Sequence, residues 1–488
     1  MSRVAAARGF KSSVVSSMGV ATASTGLAFV RQLMIAAYFG VSRELEIYLF
    51  AYAVALWVGF GFASVLDSML VPHLVRRREE GGEEASRALA RAIFIVSAAL
   101  GLVAAALTIA FTGLLAPLIA TGFTPEERTT MVRLSVLFVP WVVLYFVYYA
   151  AAARHKSAWR FNRVFVAELA VGSVSILTLA LAHASVRALP LAYCAGYAAG
   201  VAWLLPGSGL LRPSARGSPI GGVLRDAAEL YLANQTGTVR NVIDRHFQSL
   251  IPAGGIAALG YASQLLMGLS SIIGMREIFV VPISESHRRS ERVERLILGL
   301  LLLSVPLAGA VACFTPEIVT VLFQHGHFDE VAADQTARVL RILSLTLVTG
   351  AVATPLMRVL QIVRRIRLLH VQYLAAAGLA LAFGAVFVQV LGLGAEGIAW
   401  MNLATSLPGC WLLVHLARKC GVMLSWRPIG VCFAFAVVAA GIAATAALAA
   451  ASPWTNAWMR LLVGGPVYAG LVAALYGVFW TRLPYAAR

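Results

Sequence analysis

The chain has 488 residues, 60% of them hydrophobic and 12% charged, against about 25% charged in a soluble domain. That balance excludes a soluble enzyme or binding domain and describes a polytopic membrane protein. A net charge of +17 would point to nucleic acid in a soluble protein; here the positive-inside rule accounts for it, and no nucleic-acid partner is expected.

The first apolar stretch, ending at Phe39, follows no cleavable signal pattern and reads as the first of fourteen spanning helices. The expected spans are 12–39, 46–71, 91–119, 131–153, 163–183, 188–206, 225–250, 256–284, 295–323, 335–361, 367–390, 396–417, 429–451 and 457–480. With a cytoplasmic N-terminus, the inside segments hold 27 Lys and Arg, while the outside loops and their edges hold only Arg43, Arg128, Arg133 and Arg187. Both termini are therefore expected inside. The longest outside loop, 324–334, is too short for a folded catalytic domain. Cys194, Cys313, Cys410, Cys420 and Cys432 form no Cys-x-x-Cys pair and read as packing thiols.

The seventh span is the exception to the apolar pattern. Its 25 residues from Asp226 to Leu250 reach roughly 37 Å at about 1.5 Å each. Asp226, Glu229, Arg240 and Asp244 follow helical spacing on one face, with Asn234, Gln235, Asn241 and Arg245 beside them. Each charge at a bilayer centre costs about 2.5–3.5 kcal/mol on insertion scales. This helix is therefore expected to face water or polar groups. A soluble interdomain helix is the alternative, but without a seventh span the charge alternation of the loops fails.

An internal repeat divides the chain. Val30-Arg31-Gln32 returns as Val239-Arg240-Asn241 and Ala51-Tyr52-Ala53 as Gly260-Tyr261-Ala262, each 209 residues on; Val71-Pro72 returns as Val281-Pro282, 210 on. Each proline precedes a mixed-charge loop, 76–84 and 287–295. The reading is an all-α protein: a six-helix lobe over 1–215, a second over 216–425, and an extra helix pair over 426–488. Both lobes start inside, so they are parallel repeats, an arrangement that places a substrate site between lobes. Arg31, Asp67, Arg240, Asp244, Arg276 and Glu277 carry the intramembrane charge of spans one, two, seven and eight.

Phe29-Val30-Arg31 through Phe39-Gly40, the helix ending at Pro72, Ala257-Ala258-Leu259-Gly260-Tyr261-Ala262, and Pro316-Glu317-Ile318-Val319 through Gln324-His325-Gly326-His327-Phe328-Asp329 resemble the MviN/MurJ group of lipid-linked saccharide flippases, in the multidrug, oligosaccharidyl-lipid and polysaccharide exporter superfamily. The resemblance covers about residues 12–420. It implies a multi-pass bacterial inner-membrane transporter in cell-wall or polysaccharide biosynthesis. The implied cargo is a saccharide on a polyprenyl diphosphate, moved from the cytoplasmic to the periplasmic leaflet by alternating access. The implied site is a cationic cavity, with the last two helices forming a groove for the lipid tail. The implied driving force is Na+, H+ or the membrane potential. Arg31 matches a cavity arginine of the family. Gln32, Thr25, Gly59-Phe60 and Ser263-Gln264 stand where the family has charged residues, so lipid II and an exopolysaccharide or O-antigen repeat unit both remain as cargo.

Arg31, Arg240, Asp244, Asn234 and Gln264 are the candidate substrate-binding residues. A guanidinium fork suits diphosphate oxygens and keeps its charge. Arg31 lies nine residues before Gly40 and Arg240 eleven before Ile251, placing both roughly 13–17 Å from the outer helix ends and, by expectation, in one cavity. The competing reading has Arg240 paired with Asp244 one turn on. Asp67 maps by the repeat onto Arg276 or Glu277, and an Asp67–Arg276 pair is expected to gate the cytoplasmic mouth; Arg276 paired with Glu277 is the alternative. Glu168 is a candidate proton or cation site or a residue of the cytoplasmic edge. His325, His327 and Asp329 are read as structural rather than metal-binding. With no Walker motif in the sequence, no cofactor is expected and the chain is read as a transporter, not an enzyme. The other readings are an ion-coupled multidrug exporter, a membrane glycosyltransferase or polymerase, and a non-transporting scaffold.

Overall fold

A computed structural model of the chain describes residues 23–24, 26–182, 185–211, 220–273, 289–363 and 365–480. Every regular element among them is helical. They are α1 (Gly26–Phe39), α2 (Arg43–Ile119), α3 (Pro125–Leu137), α4 (Val139–Ser157), α5 (Phe161–Leu181), α6 (Ala188–Leu204), α7 (Gly221–Ser249) and α8 (Gly255–Ile273). Beyond these lie α9 (Arg289–Cys313), α10 (Thr315–Phe323), α11 (Glu330–Ser344), α12 (Thr346–Ile362), α13 (Ile366–Gly384, continued by a π-helical turn Ala385–Val390), α14 (Gly394–Arg418), α15 (Trp426–Ala451) and α16 (Ala457–Trp480). Among the described residues, seven helices are long and apolar enough to cross a membrane, or nine if α3 with α4 and α11 with α12 each form one bent span. The 40° bend between α3 and α4 falls where Pro140, in the first turn of α4, has no N–H for the carbonyl four residues back.

The helices pack as two compact units, one of residues up to Phe39 with Arg43–Thr238, the other of Gly40–Ser42 with Val239 onward. The division falls inside α7. In the first unit, α2 differs from expectation. The sequence suggests a span ending at Pro72 and a loop over 76–84, yet the helix continues past Pro72 and breaks only at Gly82, where φ is +75°. Leu70 and Leu74 are buried among Leu89, Ile93, Ala151, Val164 and Leu204, which anchors the extension. Arg76 and Arg77 then pair with Glu80 one helical turn on. What reads as a charged loop is a charged helix end with its own side-chain pairs.

The second unit is built around α9, α12, α14 and α15, with Ile297, Leu301, Leu356, Val359 and Leu413 in its core. On α15, Ala436, Ala440, Ala443, Ala447 and Ala451 are buried at helical spacing, so the backbone of α15 lies close to its neighbours. The opposite faces carry the large apolar side chains: Val438 and Leu462 here, and Leu102, Leu114 and Leu181 in the first unit, are all more than half exposed. Small residues inside and large apolar ones outside are the distribution that lipid favours, because hydrocarbon gives Leu no reason to hide.

Parts of three of the stretches that carry the family resemblance, at Gly40, Tyr261 and Phe323–Phe328, meet in the second unit. Tyr261 donates to the Gly40 carbonyl at 2.7 Å, and its ring packs 5.2 Å from Phe323 and 5.3 Å from Phe328. Gly40 has φ +53°, and a Cβ there would stand 2.3 Å from the His327 carbonyl oxygen. The 324–334 loop is shorter than expected, because Asp329 accepts from the Ala332 N–H and starts α11 at Glu330.

Gly40→Ala combines a left-handed backbone position with that collision. The first alone costs about 1 kcal/mol, and the His327 carbonyl adds to it. The variant should unfold at lower temperature in detergent than the parent protein; an unchanged melting temperature would show that the turn relaxes freely.

Candidate functional site

Three helices of the first unit place aromatic residues four apart: Tyr48 and Tyr52 on α2, Trp141, Tyr145 and Tyr149 on α4, and Tyr193 and Tyr197 on α6. Four-residue spacing puts each set on one helix face, and the three faces converge. Tyr52 stacks on Tyr193 at 5.4 Å and lies 5.7 Å from Trp141. Trp141 contacts Tyr145 and Tyr193, and Tyr145 contacts Tyr197 and Tyr149. Tyr48, Trp141 and Tyr145 are buried, while Tyr52, Tyr149, Tyr193 and Tyr197 keep partial access. Half of the chain's 14 tyrosines, counting Tyr148 beside Tyr149 and Tyr197, are in this cluster. Such clustering indicates a lining with hydroxyl tips, not a uniform apolar core.

Arg31 of α1 lies over this cluster, its guanidinium carbon 4.5 Å from the Tyr193 ring centroid. The ionisable groups that face it are Tyr193, Tyr52, Tyr48 and Tyr197, all phenols and neutral near pH 7. Among the described residues no carboxylate pairs with Arg31. A ring face stabilises a guanidinium through its quadrupole, so the charge is held without being neutralised. Arg31 remains partly accessible. Glu168 of α5, partly buried in the same unit, acts electrostatically on Tyr197.

The repeat-related arginine of the second unit is held differently. Arg240 donates to Asn402 Oδ1 at 2.7 Å and faces Asp244 Oδ2 at 3.7 Å. Asn402 in turn donates to the Ile398 carbonyl at 3.0 Å. Asp244 Oδ1 is buried with no hydrogen-bond partner among the described residues. Arg245 donates to Gln248 at 2.9 Å. Of the sequence-derived candidates, the structure thus brings together Arg240 and Asp244 and sets Arg31 among aromatics. Gln264 is exposed on α8. The side chains of Asp67 and Asn234 lie outside the described residues, as do Arg276 and Glu277 entirely. Sequence reasoning missed the tyrosine cluster and Asn402. The first was available as repeated four-residue aromatic spacing, the second as a lone amide within an apolar helix.

Among the described residues, then, one arginine lies against aromatic rings and the other is held by an amide and a carboxylate. A family model described as the lipid II flippase MurJ matches residues 35–463, and the chain belongs to that family. Among solved structures, the inward closed conformation of the lipid II flippase MurJ is similar at 16% identity with a TM-score of 0.78, covering 96% of this chain and 100% of that one. An inward-facing multidrug resistance MATE family transporter of the MOP superfamily is similar at 15% identity and TM-score 0.68, over 81% and 94%. A MOP superfamily transporter from Pyrococcus furiosus, described as having a binding pocket of reversed polarity, is similar at 13% identity and TM-score 0.59, over 81% and 92%. No curated protein matches the chain.

The ring face, not the hydroxyl, is what Tyr193 offers Arg31. Its hydroxyl hydrogen-bonds the phenols of Tyr48 and Tyr52, so Tyr193→Phe should cost about 0.5–1.5 kcal/mol, while Tyr193→Leu should lose about 0.5–2 kcal/mol more with the ring face. Melting temperatures of the two variants in detergent check this, and equal destabilisation in both would rule out the ring-face contact.

Proposed function

We propose that the chain is a flippase for a polyprenyl-diphosphate-linked saccharide, moving its head group from the cytoplasmic to the periplasmic leaflet. The observation that carries this reading is the state of Arg31. A guanidinium in a spanning helix is costly unless it is paired or faces water, and among the described residues Arg31 has a tyrosine ring face and no paired carboxylate. A diphosphate supplies the missing negative charge and suits the donor fork. Tyrosine and tryptophan rings with hydroxyl and N–H tips also suit the apolar faces and hydroxyls of a sugar.

In this reading the chain crosses the inner membrane fourteen times with both termini in the cytoplasm. Two parallel six-helix lobes alternate access to a central cavity, and the last two helices serve the lipid tail. Arg31 and Arg240 face that cavity at similar depth, with Asn234, Asp244 and Gln264 completing the second lobe's side of it and Asp67, Arg276 and Glu277 at the cytoplasmic gate. Lipid II and other polyprenyl-diphosphate saccharides share the recognised group. Asp244, with a buried oxygen unpartnered among the described residues, offers a position for a coupling cation, Na+ or H+. The mechanism needs no covalent step: binding of the diphosphate by Arg31 favours the conformation that encloses it, and release on the far side restores the other.

Arg31→Ala should abolish flipping in proteoliposomes while leaving insertion and folding intact, and Arg31→Lys should retain part of it, since a point charge replaces the fork. Depletion of the protein in cells should leave the lipid-linked intermediate on the cytoplasmic leaflet. Full transport by Arg31→Ala would overturn the assignment.

A further inference from the structure

A cavity of about 320 Å³ lies in the first unit, with no tyrosine of the cluster in its lining. It is lined by Glu83 and Arg87 of α2, Arg154 in the last turn of α4, Arg160 at the start of α5, and the segment from Leu205 to Leu211 after α6. Three guanidiniums face it with one carboxylate. We propose that this cavity binds the phosphate group of an anionic membrane lipid, with Arg154 as the buried anchor and Arg87 and Arg160 at the rim.

Arg154 carries the argument. Its side chain is only 6% exposed. One of its donors, Nη2, is taken by Glu83 Oε1. Nε and Nη1 are buried and have no hydrogen-bond partner among the described residues. A buried guanidinium with two orphaned N–H groups is an unfinished site, and a phosphate oxygen pair is the acceptor that matches its geometry. The positive-inside rule explains why arginines gather on this side of the membrane. It does not explain why one of them leaves water, because orientation needs only a charge near the interface.

The surrounding structure is built to hold the cavity open. Arg160 donates to the Gly207 carbonyl at 3.1 Å and Arg163 to the Pro206 carbonyl, which fixes the 205–211 segment. His155 shares a hydrogen bond of 2.8 Å with the Leu204 carbonyl at the end of α6. Gly207 and Gly209 both have φ +74°, so the segment turns tightly twice around the opening. A Cβ on Gly207 would stand 2.6 Å from Arg163 Nη1.

The rim points to a lipid as the source of the phosphate. Trp159, in the turn between α4 and α5, is 66% exposed, and Leu211 is 69% exposed. Trp159 packs edge-on against Phe161 at 5.9 Å. An exposed tryptophan beside arginines marks the level of lipid headgroups. A phosphate in the cavity with its acyl chains beyond Leu211 satisfies both halves of the surface at once. In the proposed topology this is the cytoplasmic leaflet. The site is separate from Arg31, so it neither requires nor repeats the cargo assignment.

The test uses the purified full-length protein in detergent, with dioctanoyl phosphatidylglycerol, phosphatidylcholine of the same chain length, or inorganic phosphate added, and bound lipid counted by native mass spectrometry. Phosphatidylglycerol should bind in preference to phosphatidylcholine. Arg87→Gln with Arg160→Gln, both on accessible side chains, should weaken that binding by about tenfold for each guanidinium replaced without changing the elution profile of the folded protein. Arg154→Gln should remove the preference, with folding read in parallel from the same profile. Equal binding of the two lipids, or undiminished phosphatidylglycerol binding by the folded double variant, overturns the proposal. Saturable binding of inorganic phosphate that excludes phosphatidylglycerol also overturns it, by making the cavity a site for a soluble anion.

Discussion

The contact between the Arg31 guanidinium and the Tyr193 ring face, at 4.5 Å, organises the first unit around a charge that is stabilised but not cancelled. A carboxylate at the same place would form a closed ion pair, and an anionic ligand would then have to displace it. A ring quadrupole attracts the cation while leaving its N–H groups available. The cost of holding a charge within an apolar bundle is offset by the ring face of Tyr193 on α6, which is itself packed against aromatics of α2 and α4. These helices must converge for Tyr52, Trp141 and Tyr193 to meet. Packing in the first unit and the presence of a charged site are in this sense one constraint.

In the second unit, the arginine that the sequence spacing matches to Arg31 is held in the opposite way. Arg240 is held by Asn402 and Asp244, so an anion reaching it competes with a partner already in place. Removing one member of such a group leaves the others buried and unsatisfied, which is why paired charges in low-dielectric surroundings resist substitution. Asp244 retains a buried oxygen without a partner among the described residues, so even the compensated arginine leaves a polar group available to a cation or proton.

The all-helical membrane class is legible in the sequence, because apolar runs rest on the cost of polar groups in lipid, a strong and local signal. The seventh helix forms over Gly221–Ser249 and is not among the helices apolar enough to cross a membrane by composition. The helix ends are less legible. Pro72 suggests a terminus, yet burial of Leu70 and Leu74 and the Arg76, Arg77 and Glu80 pairs carry α2 on to Gly82. Tertiary packing and side-chain pairing outweigh a single proline there. The candidate site is half legible. An arginine within an apolar helix is conspicuous, as is the one-turn spacing of Arg240 and Asp244. The tyrosines around Arg31 belong to three helices, and only the packing of those helices shows that their separate four-residue patterns share one centre.

Several of the residues that carry the family resemblance are uncharged and packed together. Gly40, Tyr261, Phe323, His327 and Phe328 meet in one packed knot, where a side chain on Gly40 would strike backbone and Tyr261 must reach a carbonyl. Such positions are fixed by geometry and do not depend on which saccharide is carried. The charged positions answer to the cargo instead, and there this chain keeps Arg31 but has Gln32 and Gln264 where charges are expected. A knot set by sterics can persist while the lining of a cavity changes, because the two are made of different residues under different physical demands. Membership of the family is carried by the match over residues 35–463, and the packing knot and the charged positions within that stretch answer to separate physical demands.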